Sequence, residues 1–158
     1  MISQKARYAF KALIALARVP MGQSLQIREI SEQGTIPRSF LEHILLDLKR
    51  LRYVGSRRGK DGGYFLLKPA QDISFGDILW QIDGPMAPLG CLSRQAYRRC
   101  EDCPDEAGCA LRAGFAGIFA AHLKTLTGMS FAQAIDIADA GATGKQGYGA
   151  NPFSGAGI

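Results

Sequence analysis

The sequence predicts a mainly α fold carrying one small β-hairpin. Three observations predict it. Apolar residues recur at helical spacing in Ala6, Phe10, Leu13, Ile14 and Ala17, again in Leu41, Ile44, Leu45, Leu48 and Leu51, and a third time from Leu111 onward. Between the second and third runs, Tyr53 to Arg57 and Tyr64 to Leu67 are strand-like and flank the turn Gly59-Lys60-Asp61-Gly62-Gly63. At 158 residues and 47% hydrophobic content, the chain suits one domain with a moderate core.

The elements follow in order. A first helix is expected from Ser3 to Arg18, with a turn at Pro20-Met21-Gly22. Leu25-Gln26-Ile27 alternates and predicts a very short strand. Arg28 to Gln33 predicts a short helix stopped by Gly34. The next helix starts near Pro37, whose missing N–H suits the first turn. Its apolar stripe faces inward, which leaves Arg38, Ser39, Glu42, His43 and Lys49 outward. Two short helices joined at Gly34-Thr35-Ile36 match a helix-turn-helix, with the second as recognition helix. A basic hairpin directly behind it makes a winged helix. Ser74 opens another helix with a capping box to Asp77, and Ile73 and Ile78 are placed for a hydrophobic staple. Trp80 and Phe75 belong to the core. Gly84-Pro85 ends that helix. A long helix follows from Ala110 to Leu126, with Leu111, Phe115, Ile118, Phe119, His122 and Leu126 expected on one face. Little of the chain is left to cover that face, so a second copy across a two-fold axis is its expected partner. Ser130 to Gln133 caps a last short helix. From Gly141 glycine dominates, and residues 141–158 are expected to be disordered.

The net charge is +5, and its placement is informative. Residues 1–90 hold thirteen Lys/Arg and eight Asp/Glu, whereas residues 91–158 hold six of each. All the excess lies in the N-terminal part, and residues 38–60 alone carry seven basic and two acidic side chains. Such a localised excess suits a polyanion, and a helix with a slim basic ribbon suits duplex DNA. Arg38 at the helix start fits guanine or phosphate, and Ser39 fits a phosphate or a base. Glu42 is an acid on that surface. It either accepts from cytosine N4 and penalises other sites, or is a plain surface residue. His43, Arg57, Arg58 and Lys60 complete the expected DNA-facing set. No apolar run approaches the ~20 residues of a membrane span, and no signal-peptide pattern opens the chain. A cytoplasmic protein is expected.

All four cysteines, Cys91, Cys100, Cys103 and Cys109, fall in one loop with little apolar content. In a reducing compartment such a cluster favours metal or redox chemistry over structural disulfides. Four thiolates suit zinc or an iron–sulfur cluster. Zinc modules usually show paired Cys-x-x-Cys knuckles, and only Cys100-Glu101-Asp102-Cys103 qualifies, so iron–sulfur is favoured. Arg94, Arg98, Arg99 and Arg112 are placed to offset the charge of bound thiolates. A metal is expected to order the loop. The other use of these thiols is a redox switch without metal.

Together these segments resemble a known family, the IscR-type winged-helix regulators of bacteria, which include iron–sulfur, nitric-oxide and iron-responsive members. The resemblance rests on Arg7-Tyr8-Ala9, Ile30-Ser31-Glu32, Phe40-Leu41-Glu42, the wing Arg58-Gly59-Lys60-Asp61-Gly62-Gly63-Tyr64 with Leu66 and Pro69, and Cys91 followed by Cys103 and Cys109. It covers roughly residues 1–139. It implies a homodimeric transcriptional regulator that binds a double-stranded DNA operator and holds an iron–sulfur cluster, either 2Fe–2S or 4Fe–4S, on Cys91, Cys103 and Cys109. Two positions depart from the pattern. Arg112 stands where the iron–sulfur assembly regulator has a histidine ligand, and Tyr8 where the nitric-oxide sensor has an aspartate. Cys100 is an extra thiol and the expected fourth ligand.

The resulting organisation is a winged-helix domain over 1–83, a cysteine-rich loop over 84–109, and a dimerisation helix with a short last helix over 110–140. The chain carries no substrate or nucleotide motif, so no enzyme activity is expected. The rival readings are a small iron–sulfur redox protein, and a cluster-free or zinc-binding regulator that acts through thiol redox or a partner protein.

Overall fold

The computed structural model describes residues 2–59 and 62–142. Six helices and one hairpin follow in the order α1 (Gln4–Ala17), α2 (Ile27–Gly34), α3 (Arg38–Arg50), β1 (Val54–Arg57), β2 (Gly63–Leu66), α4 (Phe75–Asp83), α5 (Ala110–Gly128) and α6 (Phe131–Ala142). Single 3₁₀ turns sit at Ala70–Asp72 and Gly90–Leu92. The mainly α class with one antiparallel hairpin is therefore observed. No described helix is long and apolar enough to cross a membrane.

Helix α1 is the axis of the core. Its alanines Ala6, Ala9, Ala12 and Ala15 are buried beside Phe10, Leu13 and Leu16. Small side chains on one helix let neighbours approach closely, and α2, α3, α4, α6 and β2 all pack on it. Ser3 caps α1 by accepting the Ala6 N–H at 3.0 Å, and the Asp83 carboxylate accepts both the N–H and the hydroxyl of Ser3. The start of α1 is thereby tied to the end of α4. Phe10, Phe75 and Phe131 form one aromatic cluster with ring centroids 4.7–5.5 Å apart. Through it α6 returns to the winged-helix core. Phe131 N–H donates to Ile73 O at 3.0 Å, and the Phe75 N–H donates to Met129 O at 2.8 Å. Ser130 and Gln133 cap α6 reciprocally, and Arg18 pairs with Asp139 at 2.7 Å. Helix α6 runs through Gly141 and Ala142. Residues 143–158, the rest of the glycine-rich tail, lie outside the described residues.

Two expectations need correction. Leu25-Gln26-Ile27 is not a strand. Only Leu25 pairs, through a double bridge with Tyr64 at 2.8 and 2.9 Å, while Gln26 caps α2 and Ile27 begins it. The capping box between Gln26 and Glu29 ends the extended stretch after one residue. The second correction concerns α5. The six residues expected on one face, five apolar ones and His122, divide between two. Leu126 packs against the core and Phe119 is half-buried, as are Ala116 and Leu123, whereas His122 is exposed and Leu111, Phe115 and Ile118 are exposed at 57%, 38% and 68%. Helix α5 packs on α4 and on the 3₁₀ turn at Gly90–Leu92, and no residue of α5 is fully buried.

The chain reverses from α3 into β1 at Arg52, in the left-handed region at φ 61°. The residue is exposed, and its N–H donates to Lys49 O at 3.0 Å. A Cβ in this region costs about 1–2 kcal/mol, while glycine loses some of that gain through unfolded-state entropy. Arg52→Gly is therefore expected to raise stability by about 0.5–1 kcal/mol. The check is a urea midpoint that rises at constant slope. A lowered midpoint would show that the arginine side chain contributes more than its backbone costs.

Candidate nucleic-acid interface and cysteine loop

The turn between α2 and α3 is set by local bonds. Thr35 ends α2 in the left-handed region at φ 49°. Ser31 Oγ donates to Ile36 O at 2.7 Å, and the Ile36 N–H donates to Ser31 O at 3.0 Å. Ile36 is buried, so its anchor fixes where Pro37 starts the next helix. Leu41, Ile44, Leu45 and Leu48 then bury one side of α3. Arg38, Ser39, Glu42, His43 and Lys49 are all exposed, as expected. Arg38 lies 3.8 Å from Glu42, a loose pair with both side chains more than half exposed, so Arg38 remains available to another anion.

Sequence reasoning missed one member of this surface. Leu46 is 46% exposed and continues the line from Ser39 and His43. Residues 39, 42, 43 and 46 have the i, i+3, i+4, i+7 spacing by which a recognition helix presents successive side chains to base edges. The signal was the interval of seven from Ser39, hidden because leucine reads as a core residue. On the flank toward α1, Phe40 is exposed with its ring 6.2 Å from Tyr8, and Lys5 holds Asp47 at 2.7 Å. The Lys5 ammonium, hydrogen-bonded to the carboxylate, lowers the Asp47 pKa.

The wing lies against the other flank. Register pairs Val54 with Leu66, Gly55 with Phe65, Ser56 with Tyr64 and Arg57 with Gly63. Lys49 Nζ donates to Ser56 Oγ at 2.7 Å, which ties the hairpin to α3. The Arg57 guanidinium sits over the Phe65 ring at 4.7 Å, and Arg58 is exposed. The Gly62 N–H donates to Gly59 O at 3.0 Å and closes the tip. Lys60, expected at that tip, lies outside the described residues. Between α3 and the wing lies an open cavity of about 610 Å³, lined by Glu42, Leu46, Arg57 and Tyr64 among others. The helix face, this cavity and the wing form one continuous surface.

The cysteine loop carries a set of polar contacts of its own. Ser93 Oγ accepts the Ala96 N–H at 3.0 Å, and the Arg98 N–H donates back to Gly90 O at 3.1 Å. Arg99 donates to Cys103 O and Pro104 O at 2.8 and 3.0 Å. Asp105 accepts the N–H groups of Ala107 and Gly108. Glu106 takes the Tyr97 hydroxyl and, at 3.0 Å, the Arg112 guanidinium. Tyr97 titrates above its ordinary value, first because of that hydrogen bond. With its guanidinium on Glu106, Arg112 is engaged as a structural cation.

The four thiols are chemically suited to a soft metal or a cluster, but this loop conformation does not present them as one ligand set. Among the described residues no three Cys, His, Asp or Glu side chains are grouped to hold an ion. Cys91 is buried, Cys103 and Cys109 are half-buried, and Cys100 is exposed. Cys100 has its thiol pKa raised, first by reduced solvation, then by the nearby Cys91, Asp102 and Cys103, and last by a hydrogen bond with Cys91 that favours the protonated thiol. Cys91 and Cys103 thus each lie near Cys100. Cys109 is engaged elsewhere: its Sγ caps α5, accepting the Arg112 N–H at 3.4 Å.

Comparison with known proteins bears on this arrangement. The model of the Rrf2 family, described as an iron-dependent transcriptional regulator, matches residues 2–137. An rrf2-like HTH-type transcriptional regulator of Rhodobacter capsulatus is 48% identical over 133 residues, 82% of this chain and 89% of that one. CymR, the global cysteine regulator of B. subtilis, is similar in structure with a TM-score of 0.69 and 27% identity, over 85% of this chain and 95% of that one. T. potens IscR has the same fold, with a TM-score of 0.69 and 22% identity over 94% of each chain.

Proposed function

This chain belongs to the Rrf2 family of transcriptional regulators, and from that premise we propose that it is a homodimer that binds operator DNA under the control of its cysteine loop. The observation that carries the proposal is the continuous surface of α3 and wing, with Arg38, Ser39, Glu42 and His43 exposed on the helix and Arg57 and Arg58 on the hairpin bound beside it. Helix α3 suits the major groove, and the wing arginines suit phosphate or the adjoining minor groove. Glu42 then tunes the range of sites by penalising bases that offer it no donor. The exposed Leu111, Phe115 and Ile118 of α5 suit a second protomer.

For the sensing element we propose an iron–sulfur cluster on Cys91, Cys103 and Cys109, with Cys100 as fourth thiol. Such a group supplies a response to iron supply and to oxidants. The chain's own part is mechanical. The four sulfurs are not gathered here, so bringing Cys109 together with the other three requires the loop to rearrange around the start of α5. Drawing its sulfur away frees the Arg112 N–H at the start of the helix that carries the outer apolar face. The loop thereby biases the placement of two recognition helices, by population shift between two dimer geometries. A second reading is thiol chemistry without metal, supported by the closeness of Cys91 and Cys100.

The test of DNA binding is its salt dependence. If about six phosphates are contacted per dimer, log K falls against log salt with a slope near −5. Arg58→Ala is expected to weaken binding about tenfold and to make the slope shallower by roughly one per protomer. Anisotropy titrations on duplexes selected from a random pool measure both. A monomer with no salt-sensitive affinity for any duplex, in either metal state, would end this reading.

A further inference from the structure

We propose that Leu46 is a sequence-reading residue, and that it packs against the 5-methyl group of a thymine in the operator. The inference rests on the DNA reading above and names the chemistry of one contact within it. A singly exposed leucine is ordinary, so exposure alone carries nothing. Its place is what matters. Leu46 stands on the polar face of α3, in line with Ser39 and His43 and beside Glu42. It also lines the cavity shared with Arg57 and Tyr64, at the junction of helix and wing. Seven residues separate Leu46 from Ser39, about 10 Å along the helix axis, or roughly three base-pair steps.

A leucine side chain has no donor or acceptor. Among the features that base pairs present in the major groove, only the thymine 5-methyl group is complementary to it. A cytosine amino group or a guanine carbonyl facing Leu46 would lose its water and gain no partner, which disfavours those bases. Leu46 therefore selects in both directions: it favours a methyl and penalises an exposed polar edge. Glu42, one turn earlier, has the opposite chemistry and selects a donor. The pair Glu42 and Leu46 would then specify two neighbouring positions by unlike means.

The test deletes the methyl alone. Operators are first selected from random duplexes with the wild-type protein. Each thymine of a half-site is then replaced in turn by deoxyuridine, and Kd is measured at fixed salt for wild type and for Leu46→Ala. One thymine per half-site is expected to show about a fourfold loss on the wild type, the transfer value of one methyl group. Leu46→Ala is expected to bind the thymine and deoxyuridine forms equally, with the unfolding midpoint of the wild type, because the side chain lies outside the core. If no thymine is methyl-sensitive, the proposal fails while DNA binding stands. If methyl sensitivity survives in Leu46→Ala, another residue reads the methyl and the proposal also fails. If the wild type binds no duplex at all, the DNA reading itself falls, and the contact with it.

Discussion

Gly63→Ala is expected to weaken DNA binding strongly while the helices remain folded. Gly63 lies at φ 150°, and a Cβ there would stand 2.3 Å from the Leu25 carbonyl oxygen and 2.6 Å from its carbon. Both are backbone atoms, so no rotamer relieves the clash. That same carbonyl accepts the Tyr64 N–H at 2.8 Å, and the Leu25 N–H returns a bond at 2.9 Å. The substituted strand must leave Leu25, and both bonds go with it. Two lost backbone bonds and a strained φ together cost the wing about 2–4 kcal/mol. The helical core has no part in this clash, so circular dichroism should keep its helical signal. The Tyr64 amide should exchange faster with solvent. Once the hairpin is displaced, Arg57 and Arg58 no longer hold their places beside α3. Affinity should fall by about ten- to a hundredfold, and the salt slope should become shallower by roughly two per protomer. Unchanged affinity in a protein whose Tyr64 amide has lost protection would show that the wing does not touch DNA.

Much of this architecture was legible in local sequence, because local rules produced it. Ser3, Ser74 and Ser130 each cap the helix that follows, within three residues of the N–H they accept. The stripe from Leu41 to Leu48 fixed which side of α3 turns inward, and so exposed Arg38, Ser39, Glu42 and His43. What escaped depends on residues far apart in the chain. Leu25 pairs as a single bridge only because Tyr64 is opposite, and Arg18 meets Asp139 across 121 positions. The split face of α5 follows from where α4 and the turn at Gly90–Leu92 meet it, which no periodicity in α5 reveals. Leu46 was legible by its interval and was passed over because of its residue type. For the cysteine loop, sequence identified the thiols but not their partners. The Tyr97–Glu106–Arg112 chain and the capping role of Cys109 come from polar contacts that leave no periodic trace.

That capping role makes the cysteine prediction sharper than a survey of ligands. Anaerobic reconstitution of wild-type protein with iron and sulfide should give cluster absorbance, with the metal counted per monomer. Cys91→Ala, Cys103→Ala and Cys109→Ala should each abolish it. Cys100→Ala should leave a weaker, more labile cluster, since water or another side chain can fill one position. At Cys109 two roles can be separated. Serine accepts a helix-capping bond at least as well as a thiol, yet its hard oxygen is a poor ligand for the soft site that thiolates make. Cys109→Ser should therefore lose iron and keep the start of α5. Cys109→Ala should lose both, at an added cost of about 1 kcal/mol in stability. If the sulfur acts by leaving the cap, the serine protein should be fixed in the metal-free DNA-binding state whatever the iron supply, and the alanine protein should depart from that state. Identical DNA binding by the two variants would mean that the cap transmits nothing. A full and stable cluster in Cys100→Ala would move the fourth ligand elsewhere. Stoichiometric zinc without iron, in protein made with ample iron and no oxygen, would replace the cluster by a zinc site. A reversible Cys91–Cys100 disulfide with no metal bound would establish the thiol reading instead, because in this loop those two sulfurs already neighbour each other.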